Sequence, residues 1–203
     1  MRRHGAPGLG VRGVVTFLSA HRWRATACAC VALAVVGFVS RTSLVTVPLL
    51  QDRLPARTLV TVLAAAVVLT PLYAALGSLS RTLVREPPLR PVRAGGVLGL
   101  SALAVAPAYL GEIAQAPWVV VDLRLLLALL TLGFLGVVVL GDWVGLVVLG
   151  TGFLVLLVTS APGSWLAGAL LATPTVALVT AVAAAMATYV VRGPRIPPVD
   201  AER

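Results

Sequence analysis

Charged residues fall in a few short clusters along this chain, and long stretches between them carry no charge. The uncharged blocks are 25–40, 58–80, 94–111, 125–141 and 143–191. About 20 apolar residues in a helix cross the hydrocarbon core of a bilayer. The last block is about twice that length. It contains Ala161-Pro-Gly-Ser164, a turn signal, which divides it into 143–160 and 165–191. The pattern therefore predicts an all-α, polytopic membrane helix bundle of six transmembrane helices, occupying 25–191. Within the last block, Trp165–Thr173 suits a short external helix before Pro174, which leaves 175–191 for the final span.

The first block starts near Trp23 and meets Arg41. Residues 41–57 are expected as an external loop, with Arg41 snorkelling at the interface. The alternative carries the helix on to Leu50 and puts Arg41 in a polar gate. Ahead of the first span, Val11, Val14, Val15 and Leu18 recur at helical spacing, with Arg12, Thr16 and Ser19 largely away from them. This predicts an interfacial amphipathic helix within a cytoplasmic segment 1–24, with Trp23 and Arg24 at the turn into the bilayer. The segment 192–203 has prolines and no apolar run, the composition of a disordered tail.

Composition agrees with the pattern. Hydrophobic residues make up 59% of the 203, and only 11% are charged. A soluble chain carries about 25% charged residues, so this one lacks a surface to show water. The net charge of +9 comes from arginine without lysine. Such usage, rich also in Ala, Val, Leu and Gly, suits a high-GC genome such as that of an actinobacterium. The arginines do not form a basic face interleaved with aromatics, so nucleic acid is not the expected partner. They follow a positive-inside bias instead. With the N-terminus inside, only Arg41, Arg53, Arg57 and Arg124 lie outside, leaving twelve of the 16 on the cytoplasmic side. Both termini are expected in the cytoplasm, and the protein in the cell membrane.

Candidate chemistry is sparse. The seven acids are Asp52, Glu86, Glu112, Asp122, Asp142, Asp200 and Glu202, and none is expected deep in a span. Asp122 and Arg124 are expected to shield each other at an external span edge. The histidines, His4 and His21, both precede the first span. Paired acids, a nucleophile with an intramembrane base, metal-ligand spacing and a phosphate loop are all missing. Cys28 and Cys30 point to different faces of one helix and cannot pair within it. An enzyme is not expected, nor a metal. The lack of mid-span charge also argues against a proton-coupled carrier. Gly95, Gly96, Gly133, Gly136 and Gly141 are candidate points of close helix approach. Trp118, Trp143 and Trp165 sit at span ends, as an aromatic belt requires.

The order of elements then carries a resemblance. An interfacial helix precedes two spans joined by an external loop. A cytoplasmic loop follows, Arg81-Thr-Leu-Val-Arg-Glu-Pro-Pro-Leu-Arg-Pro-Val-Arg93, then four spans and the basic end Tyr189-Val-Val-Arg-Gly-Pro-Arg195. This resembles the membrane permease subunits of ABC-2-type transporters, especially actinobacterial ones. The resemblance implies an exporter subunit that pairs with a second permease subunit and works with a separate ABC ATPase subunit. The ATPase consumes the ATP, and this chain needs no cofactor. It places the ATPase contact on 11–24 and on Arg81, Arg85, Glu86, Arg90 and Arg93. Glu86 either accepts a charge-assisted hydrogen bond from the ATPase or neutralises Arg85 and Arg90. Arg41 and Glu112 are candidates for the substrate path or its gate, against the plainer reading as interfacial groups. The short turns at 141–143 and 161–165 leave little room for a polysaccharide channel, so an amphiphilic substrate is expected: a peptide, an antibiotic or a lipid. The rival reading is a non-transporting membrane protein, an immunity or assembly factor that binds a partner in the bilayer.

Overall fold

A computed structural model describes residues 23–47, 52–72, 90–110, 117–159 and 165–194. The interfacial helix expected at 11–23 lies almost wholly outside these residues, as do Arg81, Arg85, Glu86 and Glu112.

The described residues form seven α-helices and one small hairpin. Helix α1 is Trp23–Val39. Strands β1 (Leu44–Val47) and β2 (Asp52–Pro55) follow. Helix α2 is Ala56–Val68, extended by a tighter turn at Thr70–Leu72. Helix α3 is Arg90–Val105, continued as a tighter turn at Ala106–Tyr109. Then come α4 (Pro117–Leu140), α5 (Val144–Thr159), the short α6 (Trp165–Ala172) and α7 (Thr175–Arg192). Three helices are long and apolar enough to cross a membrane: Arg90–Tyr109, Val119–Leu140 and Thr175–Arg192. Trp23–Val39, Ala56–Leu72 and Val144–Val158 are apolar but shorter.

Proline and glycine set most of these limits. Pro55 precedes α2, and Pro71 follows its last α-turn. Pro91 and Pro117 sit in the first turns of α3 and α4, where a missing N–H costs nothing. Between α4 and α5, Gly141 adopts φ 61°, which reverses the chain almost without a loop. Pro174 separates α6 from α7, so the short helix expected there is present. Gly193, at φ 76°, ends α7 and donates its N–H to the Tyr189 carbonyl at 2.7 Å.

The first helix stops at Val39, so its continuation to Leu50 is excluded. The segment expected as a plain loop is instead an antiparallel hairpin, pairing Leu44 with Pro55 and Val47 with Asp52. The β-branched run Val45-Thr46-Val47 is its local signal. Helices α3 and α4 both start earlier than the charge pattern suggests. Arg90 and Arg93 therefore lie in the first turn of α3, and Asp122 and Arg124 lie inside α4.

The helices alternate up and down. The start of α1 meets the end of α2 through Thr26 and Thr70, whose hydroxyls are 2.8 Å apart. The Trp23 ring lies against Gly96 near the start of α3. Arg90 at the start of α3 reaches the end of α7. We call this end of the bundle the proximal end. At the opposite, distal end, Gly37 of α1 meets Val60 of α2 and Ala108 after α3. Helix α2 is the hub, touching α1, α3, α4 and α5. Its Val60, Val62, Ala64, Ala65 and Val68 are buried. Gly133 faces Leu69 and Gly152 faces Val62, so neighbouring backbones approach α2 closely. Gly96 and Gly136 are also contact points as expected, whereas Gly95 faces open space.

Candidate functional site

Two groups of polar residues stand at opposite ends of the bundle. The distal group is built from the first turns of α2 and the turn after α3. Helical spacing puts Arg57, Thr58 and Thr61 near one side of α2's first turns. The buried side chain of Asp122, in the second turn of α4, faces them. Arg57 Nε lies 3.7 Å from Asp122 Oδ2, with the side chains 13% and 4% exposed. Tyr109 donates its hydroxyl hydrogen to the same oxygen at 2.8 Å. The Thr58 hydroxyl also bonds Asp122. Thr61 Oγ1 lies 3.0 Å from the Arg57 carbonyl and 3.1 Å from Tyr109 Oη. Each hydroxyl has one hydrogen. With Tyr109's committed to Asp122, that of Thr61 is shared between the two oxygens.

This arrangement follows from burial. A carboxylate out of water is costly unless it is paired and hydrogen-bonded. Asp122 obtains a cation, a phenol and a hydroxyl, and it lies beside the N-terminus of α2, where the helix dipole favours negative charge.

The expected pairing of Asp122 with Arg124 is corrected. Residues two apart on a helix point to different faces. Arg124 turns to the α6–α7 junction, donating to the Leu170 carbonyl at 2.8 Å and to Thr175 Oγ1 at 3.3 Å. Asp122 lies in the first turn of the candidate span Val119–Leu140, near its edge as expected, yet it is only 3% exposed. Arg41 stands just beyond the end of α1, donating to the Leu110 carbonyl at 3.0 Å with its guanidinium 4.8 Å from the Phe38 ring. It belongs to the rim of the distal end, and the carbonyl it bonds is that of the residue after Tyr109.

The proximal group contains the two described arginines of the 81–93 segment. Arg90 donates to the carbonyls of Val190 and Val191 at 3.3 and 3.1 Å. These are end carbonyls of α7, which lack partners within the helix and carry its negative dipole end. Gly193 makes the contact possible, since a Cβ there would strike the Arg90 guanidinium. Arg93 is 1% exposed within the chain. Tyr189 is buried nearby, with its hydroxyl 3.4 Å from the Leu72 carbonyl and its ring tilted against Phe134 at 6.0 Å. Arg90 thus joins α3 to α7, and Arg93 is buried within the chain. Trp23, the first residue of α1, packs on Gly96 with its Nε1 buried. Trp143 and Trp165 are exposed at helix ends, as a belt requires.

Cys28 is exposed and Cys30 buried, on different faces as their spacing demands. Among the described residues no group of three His, Cys, Asp or Glu side chains is placed to hold a metal. Set against protein-family models, curated proteins and solved structures, the chain has no match.

Proposed function

We propose that this chain is the membrane permease subunit of an ABC-type exporter, with six spans and both ends cytoplasmic. A separate ATPase subunit supplies the energy, and a second permease subunit completes the path. The observation that carries this reading is the hold on the final helix of Arg90, where the 81–93 segment enters α3. The segment leads directly into Arg90, which holds the last carbonyls of α7. It then enters the buried Arg93 at the base of α3. A push on Arg81, Arg85 or Glu86 by an ATPase would therefore reach two helices at once, through charge-assisted hydrogen bonds and packing. The beginning of α1 and the end of α7 share that end of the bundle, which supports a common side for both termini. An amphiphilic cargo suits a bundle whose outward faces are apolar.

The test is gentle solubilisation of the tagged protein from its native host, followed by identification of what co-purifies. A stoichiometric ATPase, lost on Glu86→Arg while the variant still inserts and stays monodisperse, is the expected result. If no ATPase accompanies the chain under conditions that keep a known ABC complex whole, the exporter reading fails. The chain is then better read as an interaction or immunity protein held in the bilayer.

A further inference from the structure

We infer that anionic phospholipid headgroups bind at the proximal end of the bundle, along the row of α1, α3 and α7, where Arg24, Arg90 and Arg192 hold them. The inference rests on the membrane setting of these helices and not on the exporter reading, and its test uses this chain alone.

The fold gathers these arginines from distant parts of the sequence. Helix α3 touches both α1 and α7. Trp23, next to Arg24, lies against Gly96 of α3. Arg90 bonds the carbonyls of Val190 and Val191, next to Arg192. Three neighbouring helix ends therefore each bring an arginine to the proximal end.

The arginines of the two ends differ in what the chain offers them. At the distal end Arg41 donates to the Leu110 carbonyl, Arg57 faces Asp122, and Arg124 donates to the Leu170 carbonyl. At the proximal end Arg24 and Arg192 are exposed, and among the described residues neither side chain has an ion pair or a hydrogen bond. Arg24, Arg90 and Arg93 also sit in the first turns of α1 and α3, which contain no acid. The positive end of a helix dipole disfavours such charges. The chain is short of acceptors here as well, since Trp23 Nε1 and Arg90 Nε are buried without a hydrogen-bond partner. Asp142 belongs to the turn between α4 and α5, outside the row. Surplus positive charge with few acceptors calls for an anion from outside the chain.

A lipid meets that demand better than a free ion does. Val92, between Arg90 and Arg93, is 61% exposed, and Val191, beside Arg192, is 79% exposed. Apolar side chains next to charged ones match an amphiphile, whose phosphate meets the guanidiniums while its acyl chains cover the valines. A guanidinium takes a phosphate through paired N–H donors. A basic cluster at a membrane surface favours anionic lipids.

The experiment uses the full chain, purified in a neutral detergent. Binding of phosphatidylglycerol and of phosphatidylcholine with the same acyl chains is measured by native mass spectrometry, with thermal unfolding as a second readout. The expected result is preferential binding of phosphatidylglycerol, with a matching rise in melting temperature. The double variant Arg24→Gln with Arg192→Gln changes two exposed side chains. It should lower phosphatidylglycerol affinity roughly 10- to 30-fold and leave phosphatidylcholine binding as it was. Arg41→Gln, at the distal end, should keep the preference of the parent. Glycerophosphoglycerol, the same headgroup without acyl chains, should not displace the lipid at equal concentration. The inference is overturned if the double variant keeps the preference, or if the parent binds the two lipids equally, which would leave these arginines to an acidic protein partner. It is equally overturned if Arg41→Gln removes the preference, or if the soluble headgroup displaces the lipid, which would mark a site for a free anion. Should the double variant fail to fold, Arg192→Gln alone decides, with a loss of about fivefold expected and no loss overturning the inference.

Discussion

At Asp122 the local chemistry fixes what each neighbour contributes. The Tyr109 hydroxyl is a donor to a buried carboxylate, and a hydrogen bond to a charged group contributes about 1.5–3 kcal/mol. Tyr109→Phe removes the donor and keeps the ring. It should lower unfolding stability in detergent by about that amount. Asp122→Ala leaves Arg57 without this counter-charge and should cost more, about 3–5 kcal/mol. Denaturant titration of the purified chain separates the two, and equal losses would show that the ion pair adds nothing to the hydroxyl bond. At the other end, Gly193 is required twice over, by its φ of 76° and by the guanidinium of Arg90 against it. Gly193→Ala should cost about 1–2 kcal/mol from the backbone alone. It should also make Arg90→Ala nearly silent when the two are combined, since the first change already displaces the guanidinium. Full additivity of the two losses would separate Arg90 from the cap.

At the scale of elements, adjacent glycines have opposite roles. Gly96 receives the Trp23 ring, while Gly95 meets open space. Gly95→Ala should be neutral or stabilising by up to about 1 kcal/mol, because alanine favours the helix. Gly96→Leu should overpack the α1–α3 contact at a cost of about 1–3 kcal/mol. Comparable melting temperatures for the two variants would refute the seating of Trp23. Sequence announced that pair as a contact point but not which glycine makes the contact. The choice depends on how α3 is rotated about its axis, and α3 has glycine on more than one face. The hairpin was missed for a related reason. A segment with arginine at both ends, interrupted by proline, reads as loop by composition, and its strand pairing exists only once the two halves meet.

At the scale of the molecule, the alternation of helices puts Trp23 and Gly193 at one end and the β1–β2 hairpin at the other. Cysteines placed at Ser43 and at Arg192, in a background without Cys28 and Cys30, should therefore react with an impermeant thiol reagent from opposite faces of the membrane. Labelling of both from one face would break the alternating topology. Among the described residues, polar ties link elements distant in sequence, such as Thr26 with Thr70, Arg57 with Asp122, and Arg90 with Val190 and Val191.

What the sequence determined by itself is the set of rods and their setting. Uncharged length, the low share of charge, and proline or glycine at the breaks are local properties, and they gave the long apolar helices, the approximate course of the described helices and the short helix before Pro174. Charge alone placed helix ends poorly, because it treated Arg90, Arg93, Asp122 and Arg124 as edge residues. A partner buried against such a residue makes a charge tolerable inside a helix, and the partner is invisible in the sequence. Only the tertiary structure decided that Asp122 faces Arg57 and Tyr109 instead of Arg124, and that Arg90 caps the final helix. The physical reason is rotational. A helix such as α4, apolar on nearly every side, does not declare which side turns inward. That choice is made by the whole bundle, where glycine contacts and a few buried polar groups must be satisfied together.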